Sequence, residues 1–264
     1  MTYEENANIK IDHSPLFRNG IGDKKNIGVV LCHGFTGSPH SMRPWAKHLM
    51  AQGYTVSMPL LPGHGTRWED LGNTNWHSWV REVKNQVYSI NDKCNTTIII
   101  GLSMGGALAL KMASEDLVDA AVVVNPGTII DDPRRFATGV MQYLQDSLPA
   151  IGNDIKKPGV VEGAYPRVSV KATHQLKKLF HEVRKSLKDV EVPVLLFRSR
   201  KDHVVTDKNI GIIKKKIKPQ YLRIIPLYNS YHVATLDYDA EDIFIKTDEF
   251  IEKIASGEHK HTVT

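Results

Sequence analysis

The chain has 264 residues, 41% hydrophobic and 24% charged, the composition of an ordinary globular protein with one large core. Its formal net charge of +5 is concentrated in local runs, Lys214-Lys215-Lys216 with Lys218 and Arg184-Lys185 with Lys188. Those runs lack interleaved aromatics and read as solvated helix faces rather than a nucleic-acid site, and there is no stretch of about 18 apolar residues to span a membrane. The first residues, Met1-Thr2-Tyr3-Glu4-Glu5-Asn6, are acidic and polar where a secretory leader is basic and then apolar. Only two cysteines occur, Cys32 and Cys94, without metal-ligand spacing. A cytoplasmic protein with unpaired thiols is the expectation.

In chain order, the first apolar β-branched run is 27–32, followed by a helical pattern over 42–52 that stops at Gly53. A second run covers 55–60. Trp76, Trp79, Val80, Val83, Val87 and Ile90 then recur at the spacing of an amphipathic helix. The run 97–100 leads into an Ala- and Leu-rich helix over 104–114, and 121–124 is the fourth strand. From Gly127 to Val190 no strand pattern is evident. Helical patterns cover 136–148 and 170–187, with a Pro- and Gly-bearing middle from Pro149 to Pro166. So long a stretch is unusual as a structureless loop, and it reads as an inserted helical cap. Strands over 194–197 and 222–227 and a helix over 239–255 complete the chain, with Ile243, Phe244, Thr247, Phe250, Ile251 and Ile254 facing inward. Short, nearly continuous apolar runs alternating with helices predict an α/β protein with a mostly parallel, doubly wound sheet. The core is 1–126 and 191–264, and the cap is 127–190. The tail, with His259 and His261, reads as frayed and solvent-exposed rather than metal-binding.

Chemistry enters at Gly101-Leu102-Ser103-Met104-Gly105, between a predicted strand and a predicted helix. G-x-S-x-G alone is weak, but that placement is the one in which a sharp turn exposes the serine oxygen while small neighbours let strand and helix approach. The helix N-terminus then offers N–H groups and a positive dipole end to developing negative charge. A serine hydroxyl needs a base, and the base an orienting carboxylate. The loop after the strand at 194–197 supplies Asp202, and the loop after the strand at 222–227 supplies His232. Both follow the carboxyl ends of strands, where open α/β sheets bind ligands. Asp207 is the rival acid but stands where the next helix starts, so capping suits it better. His203 is the rival base, yet as the neighbour of Asp202 it leaves the placement of His232 without a purpose. His33-Gly34-Phe35-Thr36-Gly37 ends the first long strand. A turn there would aim the N–H of Phe35 at an oxyanion, opposite the N–H of Met104. His33 and His64 read as loop braces rather than proton carriers.

These residues, with the run Ser38-Pro39-His40-Ser41-Met42-Arg43-Pro44, Gly63-His64-Gly65-Thr66 and Asn229-Ser230-Tyr231-His232-Val233-Ala234-Thr235-Leu236-Asp237, resemble the bacterial monoacylglycerol lipases and their carboxylesterase relatives of the α/β-hydrolase superfamily. The resemblance runs from about residue 27 to 255 and is weakest in the cap. It implies a triad of Ser103, Asp202 and His232, an oxyanion hole of Phe35 and Met104, and ester hydrolysis through an acyl-enzyme without cofactor or metal. It also implies an acyl channel under the cap with Ile151 as an apolar wall near its entrance, and Glu162 as the carboxylate that meets glycerol hydroxyls. Apolar area on the cap would promote transient contact with a membrane surface. A carboxylesterase for short soluble esters is the nearest alternative reading, and a catalytically silent binding protein on this fold a more distant one. A serine at the elbow disfavours the aspartate-nucleophile dehalogenases and epoxide hydrolases.

Overall fold

A computed structural model of the chain describes residues 10–131, 138–150 and 152–258. Its sheet has seven strands: β1 (Leu16–Arg18), β2 (Ile27–Cys32), β3 (Thr55–Met58), β4 (Thr96–Leu102), β5 (Ala120–Val124), β8 (Val194–Ser199) and β9 (Leu222–Leu227). Their spatial order is β1-β3-β2-β4-β5-β8-β9. β1 runs antiparallel on β3, with Leu16 opposite Met58, and all other neighbours are parallel. A second, two-stranded sheet pairs β6 (Ser147–Pro149) antiparallel with β7 (Arg167–Ser169).

Helices cover both faces, which is why the central strands are apolar at almost every position. On one face Val29, Leu31, Ile98, Ile100, Val122, Val124, Leu195 and Phe197 pack against α1 (Arg43–Ala51) and α8 (Ala240–Ala255). On the other, Val30, Cys32, Ile99, Ala121, Val123, Val194 and Leu196 meet α3 (Trp76–Asn91), α4 (Met104–Ser114), α6 (Val170–Ser186) and α7 (Asp207–Lys216). The alternation between faces is the period-2 signature of a strand. Asn75 caps α3, its Oδ1 accepting from the Ser78 N–H at 3.1 Å. Gly53, at φ 95°, lets the chain leave α1 and enter β3. A short α2 (Trp68–Gly72) lies ahead of α3.

Between β5 and β8 the structure departs from the pattern-based expectation. Only α5 (Thr138–Met141) is helical within 136–148 among the described residues, and the chain then enters β6. Tyr143 and Leu144 are 82% and 81% exposed, so these two have no core to join as a helix face would need. The helix expected over 170–187 is present as α6, whose Leu179, Phe180 and Val183 join the cluster packed on the sheet. Among the described residues no helix is long and apolar enough to cross a membrane. His259 and His261 lie outside the described residues.

Candidate active site

The turn from β4 to α4 carries Ser103 at φ 57° and ψ −116°, a conformation that a residue with a side chain adopts only under constraint. Glycines supply the room. A Cβ on Gly105 would stand 2.7 Å from His33 O and 2.6 Å from the Cys32 carbonyl carbon, so the first turn of α4 touches the end of β2. A Cβ on Gly101 would meet Gly106 N at 2.5 Å. The Ser103 N–H donates to Val124 O at 3.0 Å, while Ser103 O accepts from the N–H groups of Ala107 and Gly127, each at 3.2 Å. The serine is therefore rigidly held and half-buried at the sheet's carboxyl edge.

Asp202 sits in the loop after β8 with its carboxylate wholly buried. Four donors surround it. Oδ1 accepts from the N–H groups of Val204 and Val205 at 2.8 and 2.7 Å. Oδ2 accepts from Arg198 Nη1 and from His232 Nδ1, both at 2.9 Å. Burial raises this carboxyl's pKa, but the His232 ring and the two backbone N–H groups outweigh it and hold the group below its ordinary value. An ionised Asp202 makes Nδ1 the protonated nitrogen of a neutral His232 and leaves Nε2 as the acceptor. For His232 burial disfavours the cation, yet Asp202 first, then Glu162 and Asp154, raise its pKa above the usual imidazole value.

The loop bearing His232 is held from two sides. Its N–H donates to Asp154 Oδ2 at 3.1 Å, and its C=O accepts from Asn125 Nδ2 at 2.8 Å. Asn125, at φ 45° just beyond β5, also accepts the Ser199 N–H at 2.8 Å through Oδ1. It thus ties the ends of β5, β8 and the His232 loop together.

The turn after β2 borders the serine, for a Cβ on Gly34 would stand 3.4 Å from Ser103 Cβ and 3.9 Å from its Oγ. Thr36 is in the left-handed region at φ 62°, with its hydroxyl donating to Phe35 O at 2.6 Å. Behind the turn His33 is buried. Its Nδ1 donates to Gly34 O at 2.9 Å and its Nε2 accepts the Leu61 N–H at 3.2 Å. Burial, and then His64, press its pKa well below the ordinary value, so it is a neutral brace. His64, pushed down to about 4 by burial, packs edge-on against His33 and Trp79.

A cavity of about 440 Å³ opens over these groups. Its lining combines the polar Ser103, His232, Thr36 and Glu162 with the apolar Leu148, Val168, Leu176, Phe180, Ile129 and Ile130. Phe35, Met104 and Ala150 border it as well. Glu162 is buried, its carboxyl raised by desolvation against smaller lowering by His232 and the Asn153 N–H. Asn153 Oδ1 accepts the Glu162 N–H at 2.7 Å. Of the residues selected from sequence, Ser103, His232, Phe35, Met104 and Glu162 share this one cavity, and Asp202 stands directly behind His232. Ile151 lies outside the described residues.

Neither rival is bonded into the Asp202–His232 pair, although His203 also borders the cavity. Asp207 is the first residue of α7, but its Oδ1 takes Arg198 Nε at 3.0 Å instead of capping the helix. His203 is exposed and pairs through Nδ1 with Asp154 Oδ1 at 2.7 Å. Arg198, Asn125 and Asp154 escaped the sequence reading. Arg198 had a faint signal in standing four residues before Asp202, and Asn125 in following a strand. Asp154 had none. Among the described residues no group of three or more His, Cys, Asp or Glu side chains is arranged to hold a metal ion.

Comparison with known proteins agrees with this architecture. The model of the alpha/beta hydrolase family matches residues 29–242. A thermostable monoacylglycerol lipase of Bacillus sp. (strain H-257) is 42% identical over 231 residues, covering 87% of this chain and 92% of the relative. A carboxylesterase of Bacillus subtilis (strain 168) is 26% identical over 237 residues, 88% of this chain and 94% of the relative. Among solved structures, one described under two metagenome-derived lipolytic enzymes, LipS and LipT, superposes with a TM-score of 0.87 at 35% identity, covering 91% of this chain and 98% of the other.

Proposed function

The chain belongs to the alpha/beta hydrolase family, and on that premise we propose that it cleaves monoacylglycerols into a fatty acid and glycerol. His232 Nε2 takes the hydroxyl proton as Ser103 Oγ attacks the ester carbonyl. The N–H groups of Phe35 and Met104 receive the oxyanion, at the mouth of α4 where the helix dipole favours negative charge. The tetrahedral intermediate collapses, His232 protonates the departing glycerol oxygen, and the acyl group remains on Ser103. Water then attacks the acyl carbonyl, giving a proton to His232, which returns it to Ser103 Oγ as the fatty acid leaves. Asp202 keeps the imidazole in the required tautomer and stabilises its cation. The segment between β5 and β8 contributes the cap in this reading, with Leu148, Val168, Leu176 and Phe180 separating the acyl chain from water.

The observation that carries the substrate choice is the mixed lining of the cavity. It joins an apolar wall suited to a fatty acyl chain with a buried carboxylate, Glu162, suited to hydroxyl donors. A short soluble ester needs neither, and the carboxylesterase reading stands or falls on that difference. The expected result for Glu162→Ala is a fall of about tenfold or more in kcat/KM on a monoacylglycerol, roughly 1.4 kcal/mol of lost hydrogen bonding. A p-nitrophenyl ester of the same acyl chain should be little affected. Equal losses on both would sink the glycerol assignment.

The exposed Tyr143 and Leu144 support brief contact of the cap with the lipid surface that presents the substrate. Cys32 and Cys94 are buried free thiols, in keeping with a cytoplasmic setting.

A further inference from the structure

The general base in this reading is held by more than its triad partner. Asp154, on the segment between β6 and β7, has a side chain only 12% exposed, and its two oxygens meet three donors. Oδ2 accepts the backbone N–H of His232 at 3.1 Å and that of His203 at 3.2 Å. Oδ1 takes the His203 ring at 2.7 Å. One carboxylate therefore joins the loop after β8, which holds Asp202, to the loop after β9, which holds His232.

The segment carrying Asp154 is sewn to the His232 loop along its length. The Val233 N–H donates to Asp154 O at 3.1 Å. Asp237 accepts the N–H groups of Lys156 and Lys157 at 2.7 and 3.0 Å, and that of Tyr231 at 3.0 Å. One residue upstream, Asn153 is bonded to Glu162. The wall of the polar pocket and the backbone of the base are thus parts of a single hydrogen-bonded unit. A partly buried carboxylate is costly unless donors satisfy its oxygens, and the three donors here make its position specific.

We propose that Asp154 is a positioning residue for His232: it fixes the backbone of the base to the segment bearing Asn153 and Glu162, and places a further negative charge beside the imidazole. The inference rests on the reading of His232 as the general base. Three carboxylates then face the ring. Asp202 is bonded to Nδ1, Glu162 borders the same cavity, and Asp154 is bonded to the backbone N–H. Arg198 lies on the far side of Asp202, and the His203 ring on the far side of Asp154.

Asp154→Asn tests this, because it keeps the shape and one acceptor oxygen but removes the charge and the second acceptor. The measurement is kcat/KM against pH on a p-nitrophenyl ester, which lacks glycerol and so leaves the Glu162 pocket out of the readout. Rates are normalised to the serine labelled by a fluorophosphonate, so that misfolded protein is not counted. The acid limb is expected to move to lower pH by roughly half a unit, about threefold in rate on that limb. The plateau kcat should fall roughly tenfold with KM within about twofold, the pattern of a misplaced base. Asp154→Ala should show the same shift of the limb with a larger fall in kcat. An Asp154→Asn profile that overlays the wild type overturns the inference while leaving His232 as the base. A wild-type enzyme with no acid limb overturns the reading of His232 itself, and this inference with it.

Discussion

Gly105→Ala would drive a methyl carbon into the Cys32 carbonyl oxygen, its nearest neighbour, and put it 2.6 Å from the Cys32 carbonyl carbon and 2.7 Å from His33 O. Both neighbours are backbone at the end of β2, so neither can rotate away. Relief requires α4 to move from β2 by about 1 Å or more, since ordinary carbon contacts lie near 3.5 Å. Overpacking of this kind costs about 1–3 kcal/mol, and rigid backbone on both sides places this case near 3. For a chain of this length that corresponds to a fall in Tm of roughly 6–12 °C. Function should suffer more. The moving helix carries the Met104 N–H and follows directly on Ser103, while β2 leads to Phe35, so the two proposed oxyanion donors separate. A misplacement of about 1 Å costs on the order of 100-fold in rate. The assay is kcat on a p-nitrophenyl ester together with thermal unfolding. Gly211→Ala is the control: a Cβ there meets nothing within 4 Å in the middle of α7. It should stabilise by about 0.5–1 kcal/mol with kcat unchanged. A Gly105→Ala enzyme with wild-type kcat and a Tm within about 1 °C of wild type would refute the reasoning.

The raised pKa of His232 sets the sign of two pH effects. The base works only when neutral, so the acid limb of kcat/KM should lie above the ordinary imidazole value of 6.5, and a limb below 6 in the free enzyme contradicts the Asp202 contact as the dominant influence. The stability this group contributes is fully present below the unfolded value and is lost as pH rises through the folded value; denaturant midpoints measured across that range should show the decline. In the apolar lining of the cavity, Phe180 packs on Gly127, where a Cβ would stand 2.6 Å from its Cζ. Phe180→Leu should cost roughly 1–2 kcal/mol and move the preferred monoacylglycerol toward longer chains, read from kcat/KM over a chain-length series. An unchanged profile would mean that the acyl chain does not reach this wall.

Pattern reading succeeded where burial left only one option. β2, β4, β5 and β8 are covered on both faces, so almost every residue is apolar and the runs stand out. β1 was invisible because Leu16-Phe17-Arg18 is a short edge strand with its last two residues exposed. β6 and β7 are three residues each and exist only by pairing with one another. The stretch 136–148 looked helical because apolar residues recur in it. Periodicity identifies a face, and whether anything lies against that face is a matter of tertiary contact.

The same division runs through the site. Ser103 announces itself because the elbow requires glycines next to it in sequence, and Gly105 in particular is demanded by a contact with β2 that any such turn must make. Asp202 and His232 could be selected because parallel strands deliver their following loops to one edge of the sheet. Local chemistry and strand order, both written in the chain, thus determined which residues could meet. The tertiary structure decided how they are held. Asp154 stands 78 residues before His232, Asn125 stands 107 before it, and Arg198 divides its guanidinium between Asp202 and Asp207. Those partnerships depend on side chains crossing between loops, and no spacing rule encodes a distance that only the folded backbone creates.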